Sequence, residues 1–228
     1  MILFRQLFDD DTSTLTYILA DPVTRDAIII DPVHEQFDRD LAEICDMEVR
    51  LKYILETHVH ADHITGGGRL REETGARFVA GVGSRLECAD LLLADGDSLS
   101  FGNEVIHALA TPGHTDGCTT YRWRDRLFTG DTLLIDACGR TDFQQGSAER
   151  LYNSLSRLFE FPAETLVFPG HDYNGRRVST LSQEAGINPY WAGLTKAEFI
   201  EKLNALNLPK PRKIDVAVPA NLRCGEAA

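Results

Sequence analysis

The sequence is poor in the features that usually announce a zinc-stabilised, membrane or nucleic-acid-binding protein. It has five cysteines, at 45, 88, 118, 138 and 224, an odd number with no Cys-x-x-Cys pair. No cysteine-rich structural zinc site can be built from that spacing, and the expectation is reduced thiols in a cytosol-like compartment. No apolar run approaches the roughly 20 residues that cross a bilayer. The opening Met1-Ile2-Leu3-Phe4-Arg5-Gln6 lacks the basic head and long apolar stretch of a secretory signal, and Asp9-Asp10-Asp11 is too acidic for a transit peptide, so a cytoplasmic protein is expected. Basic residues are outnumbered 23 to 35, a net charge of −12. That balance argues against a nucleic-acid partner and against an anionic membrane surface, though a local basic pocket could still take a small anion. Internal repeats, low-complexity tracts and flexible linkers are absent, which points to a single domain over residues 1–228 with a short helical or extended segment from about 180.

What the chain does have is concentrated chemistry. In Thr57-His58-Val59-His60-Ala61-Asp62-His63, three histidines and an aspartate fall within six positions. Imidazole and carboxylate are ligand types for zinc and iron, and such groups crowded together would repel or go unsatisfied in a plain core. The apolar run Leu51–Leu55 just before them reads as a buried strand, and Gly66-Gly67-Gly68 just after lets backbone turn and approach closely. The cluster is therefore expected on a loop at a strand's C-terminal end.

The same grammar recurs. Strands are expected at 13–20 and 27–30, a helix over 37–44, a helix over 66–74 and a strand at 77–80. Residues 98–109 read as a hairpin turning at Gly102-Asn103 and running into Thr111-Pro112-Gly113-His114. Strands at 119–123 and 126–129 lead to Gly130-Asp131. Ser147 is a candidate N-cap for an amphipathic helix, and 165–168 is a strand ending at Pro169-Gly170-His171. Thr195 and Glu198 form a capping box for a helix to about Leu206, and the tail 215–219 is expected to be extended. His58, His114, Asp131 and His171 thus each follow a strand, the edge at which sites of layered α/β sheets collect.

This set, His58-x-His60-x-Asp62-His63 followed by His114, Asp131 and His171, resembles the metallo-β-lactamase superfamily over about residues 1–175. The resemblance implies an α/β, αββα sandwich with metal at one sheet edge. Two glutathione-related branches fit best: glyoxalase II, a two-metal thioester hydrolase, and the persulfide dioxygenase (ethylmalonic encephalopathy protein-like) family. Ala137-Cys138-Gly139-Arg140-Thr141-Asp142-Phe143-Gln144-Gln145-Gly146, Pro169-Gly170-His171-Asp172-Tyr173-Asn174-Gly175, and the C-terminal Asn207–Pro211 and Val218–Gly225 stretches resemble the second. The long helical C-terminal part usual in glyoxalase II is lacking.

The resemblance to persulfide dioxygenases implies one Fe(II) per chain on His58, His114 and Asp131, a two-histidine, one-carboxylate face that leaves coordination positions open. His60, Asp62, His63 and His171 would stand behind those ligands and orient them, with Asp62 and His63 the candidates for proton handling. The implied substrates are glutathione persulfide and O₂, giving glutathione and sulfite. Arg140 is the first candidate for the glutathione carboxylates and Tyr173 the second. Residues for two metals are all present, so the spacing itself leaves a hydroxyacylglutathione hydrolase open as the alternative. Cys118 and Cys138 read as packing residues, and a homodimer is left open as the assembly.

Overall fold

The computed structural model describes residues 2–225. The first half of the chain runs β1 (Leu3–Asp9), β2 (Thr14–Ala20), β3 (Asp26–Ile30), α1 (Phe37–Asp46), β4 (Arg50–Leu55), α2 (Gly67–Thr74), β5 (Arg77–Gly81) and β6 (Leu91–Leu93). The second runs β7 (Ser98–Phe101), β8 (Glu104–Ala110), β9 (Thr119–Trp123), β10 (Arg126–Gly130), α3 (Ala148–Leu158), β11 (Leu166–Pro169) and β12 (Ser179–Thr180), then α4 (Leu181–Ile187), α5 (Lys196–Asn204) and α6 (Ile214–Asn221). Each half makes one six-stranded sheet, ordered β1-β2-β3-β4-β5-β6 and β12-β11-β10-β9-β8-β7. β3 through β6 are parallel neighbours, as are β10 and β11; the other pairs are antiparallel.

The sheets stack face to face because alternate residues of their strands are apolar on both sides. From β2 and β3, Leu15, Tyr17, Leu19, Ile28 and Ile30 point inward against Phe101, Tyr121, Trp123, Phe128 and Phe168 of the other sheet. Ile18 and Ile29, on the opposite face of the same strands, meet Phe37 and Ile44 of α1 and Leu70 of α2. On the far side, Leu127 and Val167 pack against Leu151, Leu155 and Leu158 of α3 and Phe199 and Leu203 of α5. Strands buried on both faces read as continuous apolar runs, which is why β2 is buried at all seven positions. The result is the expected αββα sandwich. Ser147 caps α3 and Thr195 with Glu198 forms the expected capping box on α5.

Two expectations are corrected. The tail is not extended: residues 214–221 form α6, with Ile214, Ala217, Ala220 and Asn221 buried and Pro219 inside the helix. The β-branched Val216 and Val218 favour strand locally, but burial of one helical face outweighs that preference. The thiols are not all reduced either, since Cys88 and Cys224 form a disulfide across 136 positions; Cys45, Cys118 and Cys138 are free. The expectation of a cytoplasmic protein leaned on reduced thiols and loses that support. β1, β6, β12 and α4 went unforeseen.

Candidate metal centre

Four strand ends deliver the expected groups. β4 stops at Leu55 and leads to His58, β8 stops at Ala110 before His114, β10 stops at Gly130 before Asp131, and β11 stops at Pro169 before His171. The ligand-capable atoms of His58, His114 and Asp131 all lie within 4.8 Å of one another. His114 Nε2 is 3.6 Å from Asp131 Oδ2, and the His58 and His114 rings meet edge to face at 4.9 Å.

Hydrogen bonds on the far side of each imidazole set which nitrogen faces the cluster. His114 Nδ1 lies 2.7 Å from the Arg140 carbonyl oxygen. A carbonyl only accepts, so Nδ1 carries the proton and Nε2 presents a lone pair. His58 reaches the same state through a relay. The Thr57 hydroxyl donates to Asp31 Oδ2 at 2.8 Å, so its oxygen accepts from His58 Nδ1 at 3.0 Å and His58 Nε2 is left free. Asp31 also accepts the Thr57 amide at 2.7 Å. It follows β3 with φ of 50°, a left-handed conformation that aspartate tolerates better than most residues. Burial, with His60 and His114 nearby, holds His58 well below the ordinary histidine range, so it stays neutral and able to bind metal.

Asp131 Oδ1 is buried and has no hydrogen-bond partner. An orphaned carboxylate oxygen beside two inward-facing imidazole lone pairs is what a bound cation would satisfy. Gly170 is required here, since a Cβ at that position would sit 2.7 Å from this oxygen.

The other histidines are differently engaged. His60 Nε2 lies 3.2 Å from both Asp31 Oδ1 and Glu56 Oε2, all three residues being buried. Burial opposes a charge on His60, but Asp31 and then Glu56 outweigh it and push the imidazole well above its ordinary range. His63 Nδ1 is bonded to Asp62 Oδ2 at 2.9 Å. His171 Nε2 is 3.5 Å from Asp131 Oδ1 and 3.8 Å from Asp62 Oδ2. Two further sets, His60–Asp62–His63 and Asp31–Glu56–His60, also bring three ligand-type groups together. Asp62 is held well below the usual carboxylate range: His63 and His171 overcome the opposing effect of burial.

The centre opens into a cleft of about 910 Å³ whose wall includes Arg140, Tyr173, Arg212 and Lys213. Tyr173 stacks on His171 at 5.4 Å and is 64% exposed. Arg140 reaches the wall, but its guanidinium is already occupied by both Asp142 oxygens and by the carbonyls of Leu208 and Pro209. Cys138 also lines the cleft, while Cys118 is buried. Burial pushes the Cys118 and Cys138 thiols up to about 11 and about 12, so neither supplies a thiolate at neutral pH.

Sequence reasoning missed Asp31, Glu56, Thr57, Arg212 and Lys213. Asp31 was legible only as a strand breaker, although it shares with the four recognised groups its place directly after a strand.

The sequence profile described as "Metallo-beta-lactamase superfamily" matches residues 9–171. The chain is 48% identical to persulfide dioxygenase ETHE1, mitochondrial, of Homo sapiens, over 98% of this chain and 89% of that protein. It is 37% identical to a hydroxyacylglutathione hydrolase of Cereibacter sphaeroides, over 82% of this chain and 75% of that one. The crystal structure of ETHE1 from Myxococcus xanthus superposes with a TM-score of 0.96 at 51% identity, covering 98% of this chain and all of that one.

Proposed function

The chain belongs to the metallo-β-lactamase superfamily, and from that footing we infer that it is a persulfide dioxygenase: glutathione persulfide, O₂ and water become glutathione, sulfite and two protons. The observation that carries the reading is near-half identity to a persulfide dioxygenase along almost the whole chain, joined to three ligand-type residues that line one cleft and could hold a metal.

His58, His114 and Asp131 would hold one ferrous ion. Held there, it would supply the redox chemistry of the reaction with the sulfur substrate and O₂. The protein's part is position and charge. Thr57 and the Arg140 carbonyl fix the two imidazole tautomers from behind. Asp62 lines the cleft and is hydrogen-bonded from behind by the buried His63, and this pair is the candidate for taking up a proton from the persulfide or water. The reading of a single ion rests on the likeness to persulfide dioxygenases; His60 lies 3.2 Å from both Asp31 and Glu56, and His63 is hydrogen-bonded to Asp62 through Nδ1.

Glutathione brings two carboxylates. Arg140 and Tyr173 remain the proposed contacts, and Arg212, which also lines the cleft, joins them as a further guanidinium. Arg140 can contribute only by sharing or exchanging its bond to Asp142, an ion pair whose acid is half exposed.

Oxygen uptake with glutathione persulfide, set against hydrolysis of lactoylglutathione on the same iron-loaded sample, tests this reading. Sulfite formed in step with O₂ consumption is expected. Thioester hydrolysis without O₂ uptake on that sample would overturn it in favour of the hydrolase.

A further inference from the structure

The loop that carries the histidine cluster leaves backbone groups that the sheet does not satisfy. Between His60 and Thr65 these include the carbonyls of His60 and His63 and the amide of Thr65. One side chain meets all three. Asn221, the last residue of α6 and only 3% exposed, donates from Nδ2 to His60 O at 2.9 Å and to His63 O at 2.8 Å. Its Oδ1 accepts the Thr65 amide at 2.9 Å. Both carboxamide protons and one lone pair are thereby used on six consecutive residues of the metal loop.

The contact is tight and anchored at both ends. A Cβ on Gly68 would lie 2.6 Å from the Cys224 carbonyl oxygen, so the chain closes on α2 only because position 68 is glycine. Three residues beyond Asn221, Cys224 is bonded to Cys88 in the segment after β5. On the loop side, the Thr65 hydroxyl donates to Glu56 Oε1, and the other oxygen of Glu56 faces His60 Nε2. The clamp therefore connects to both flanks of His58.

We propose that Asn221 is a positioning residue for the metal centre: its carboxamide sets the path of the His58–His63 loop and so the affinity with which the centre holds its ion. A bare packing contact would not explain the pattern, because every hydrogen bond Asn221 makes from its side chain goes to loop backbone between or beside ligand-type residues. The affinity arm rests on the assignment of metal to His58, His114 and Asp131. The backbone arm does not.

The test compares the full-length chain with Asn221→Ala and Asn221→Asp. Hydrogen exchange of the Thr65 amide is followed in metal-free protein. Chelator competition is run with Fe(II) and, separately, with Zn(II), and the ferrous nitrosyl spectrum is recorded. Asn221→Ala should speed Thr65 exchange at least tenfold. Asn221→Asp keeps the acceptor and should speed it less. Both should weaken metal retention by roughly 10- to 100-fold and broaden the nitrosyl signal, as loss of groups behind metal ligands does. Unchanged metal affinity and nitrosyl spectrum in both variants, with only a lower unfolding temperature, would reduce Asn221 to a fastening of the fold and overturn the proposal. If Asn221→Ala fails to fold, Asn221→Asp decides by the same measurements. If the chain proves to be a zinc hydrolase, the zinc arm still reads the effect of Asn221, so the two failures are told apart.

Discussion

Replacing Thr57 by valine removes one oxygen and leaves the shape nearly intact. That oxygen joins Asp31 Oδ2 to His58 Nδ1, at 2.8 and 3.0 Å, in a place where all three residues are buried. Without it, the His58 N–H has no acceptor, and a buried donor left unsatisfied costs about 1–3 kcal/mol. Asp31 keeps its bond from the Thr57 amide, so its own loss is smaller. Part of the cost falls equally on metal-free and metal-bound protein. The part specific to the bound state is the loss of the tautomer that directs His58 Nε2 inward. Comparable losses behind metal ligands weaken binding by about 10- to 100-fold, or roughly 1.4–2.8 kcal/mol at 1.4 kcal/mol per decade. Chelator competition with Fe(II), alongside thermal unfolding of the metal-free chain, separates the two parts. A less than twofold change in iron affinity would show that the Asp31–Thr57–His58 relay does not orient the ligand.

Three more outcomes are expected. Arg212→Ala and Arg140→Ala should each raise KM for glutathione persulfide several-fold while iron content stays normal; lost iron with unchanged KM, measured by metal analysis and steady-state kinetics, would remove either residue from substrate binding. Cys88→Ser should destabilise the fold by about 2–4 kcal/mol, seen as a fall in unfolding temperature of roughly 5–15 °C that reductant reproduces in the parent chain and not in the variant. Burial pushes the Asp40 carboxyl up to about 6, an effect its neighbour Arg39 only partly opposes, and one of its oxygens has no partner. Its folded value lies above the ordinary 3.8, so its favourable contribution is complete below that value and is lost as pH rises through 6. Asp40→Asn should therefore flatten the loss of stability between pH 4 and 7, worth up to about 3 kcal/mol, in urea titrations at several pH values.

The parts of this protein that sequence made legible share a physical cause. His58, His114, Asp131 and His171 each follow a short, largely apolar strand, and such a run stands out from the polar residues that come after it. Chemistry placed at its end is visible because the contrast is local. Asn221, Cys88 and Asp31 were not legible for the opposite reason. Their partners lie 156 to 161, 136 and 26 positions away, and nothing in their immediate neighbours records the pairing. Tail residues 215–219 misled because Val216 and Val218 prefer strand, while the burial of Ala217, Ala220 and Asn221 that decides for helix depends on the loop beneath them. Arg140 falls between: its position in the cleft wall was foreseeable, its prior engagement by Asp142, Leu208 and Pro209 was not.

The distance along the chain from the metal loop to its clamp has a consequence for biogenesis. Thr65 emerges from the ribosome 156 residues before Asn221. At about 5–20 residues per second, the loop waits some 8–30 s for the side chain that closes over it. A growing chain can assemble its first sheet in that interval while the His60–Thr65 backbone is still open to water and to chaperones. On the proposed role of Asn221, secure capture of the ion would be a late event of maturation, and truncation of α6 would leave formed sheets around a centre that releases its metal.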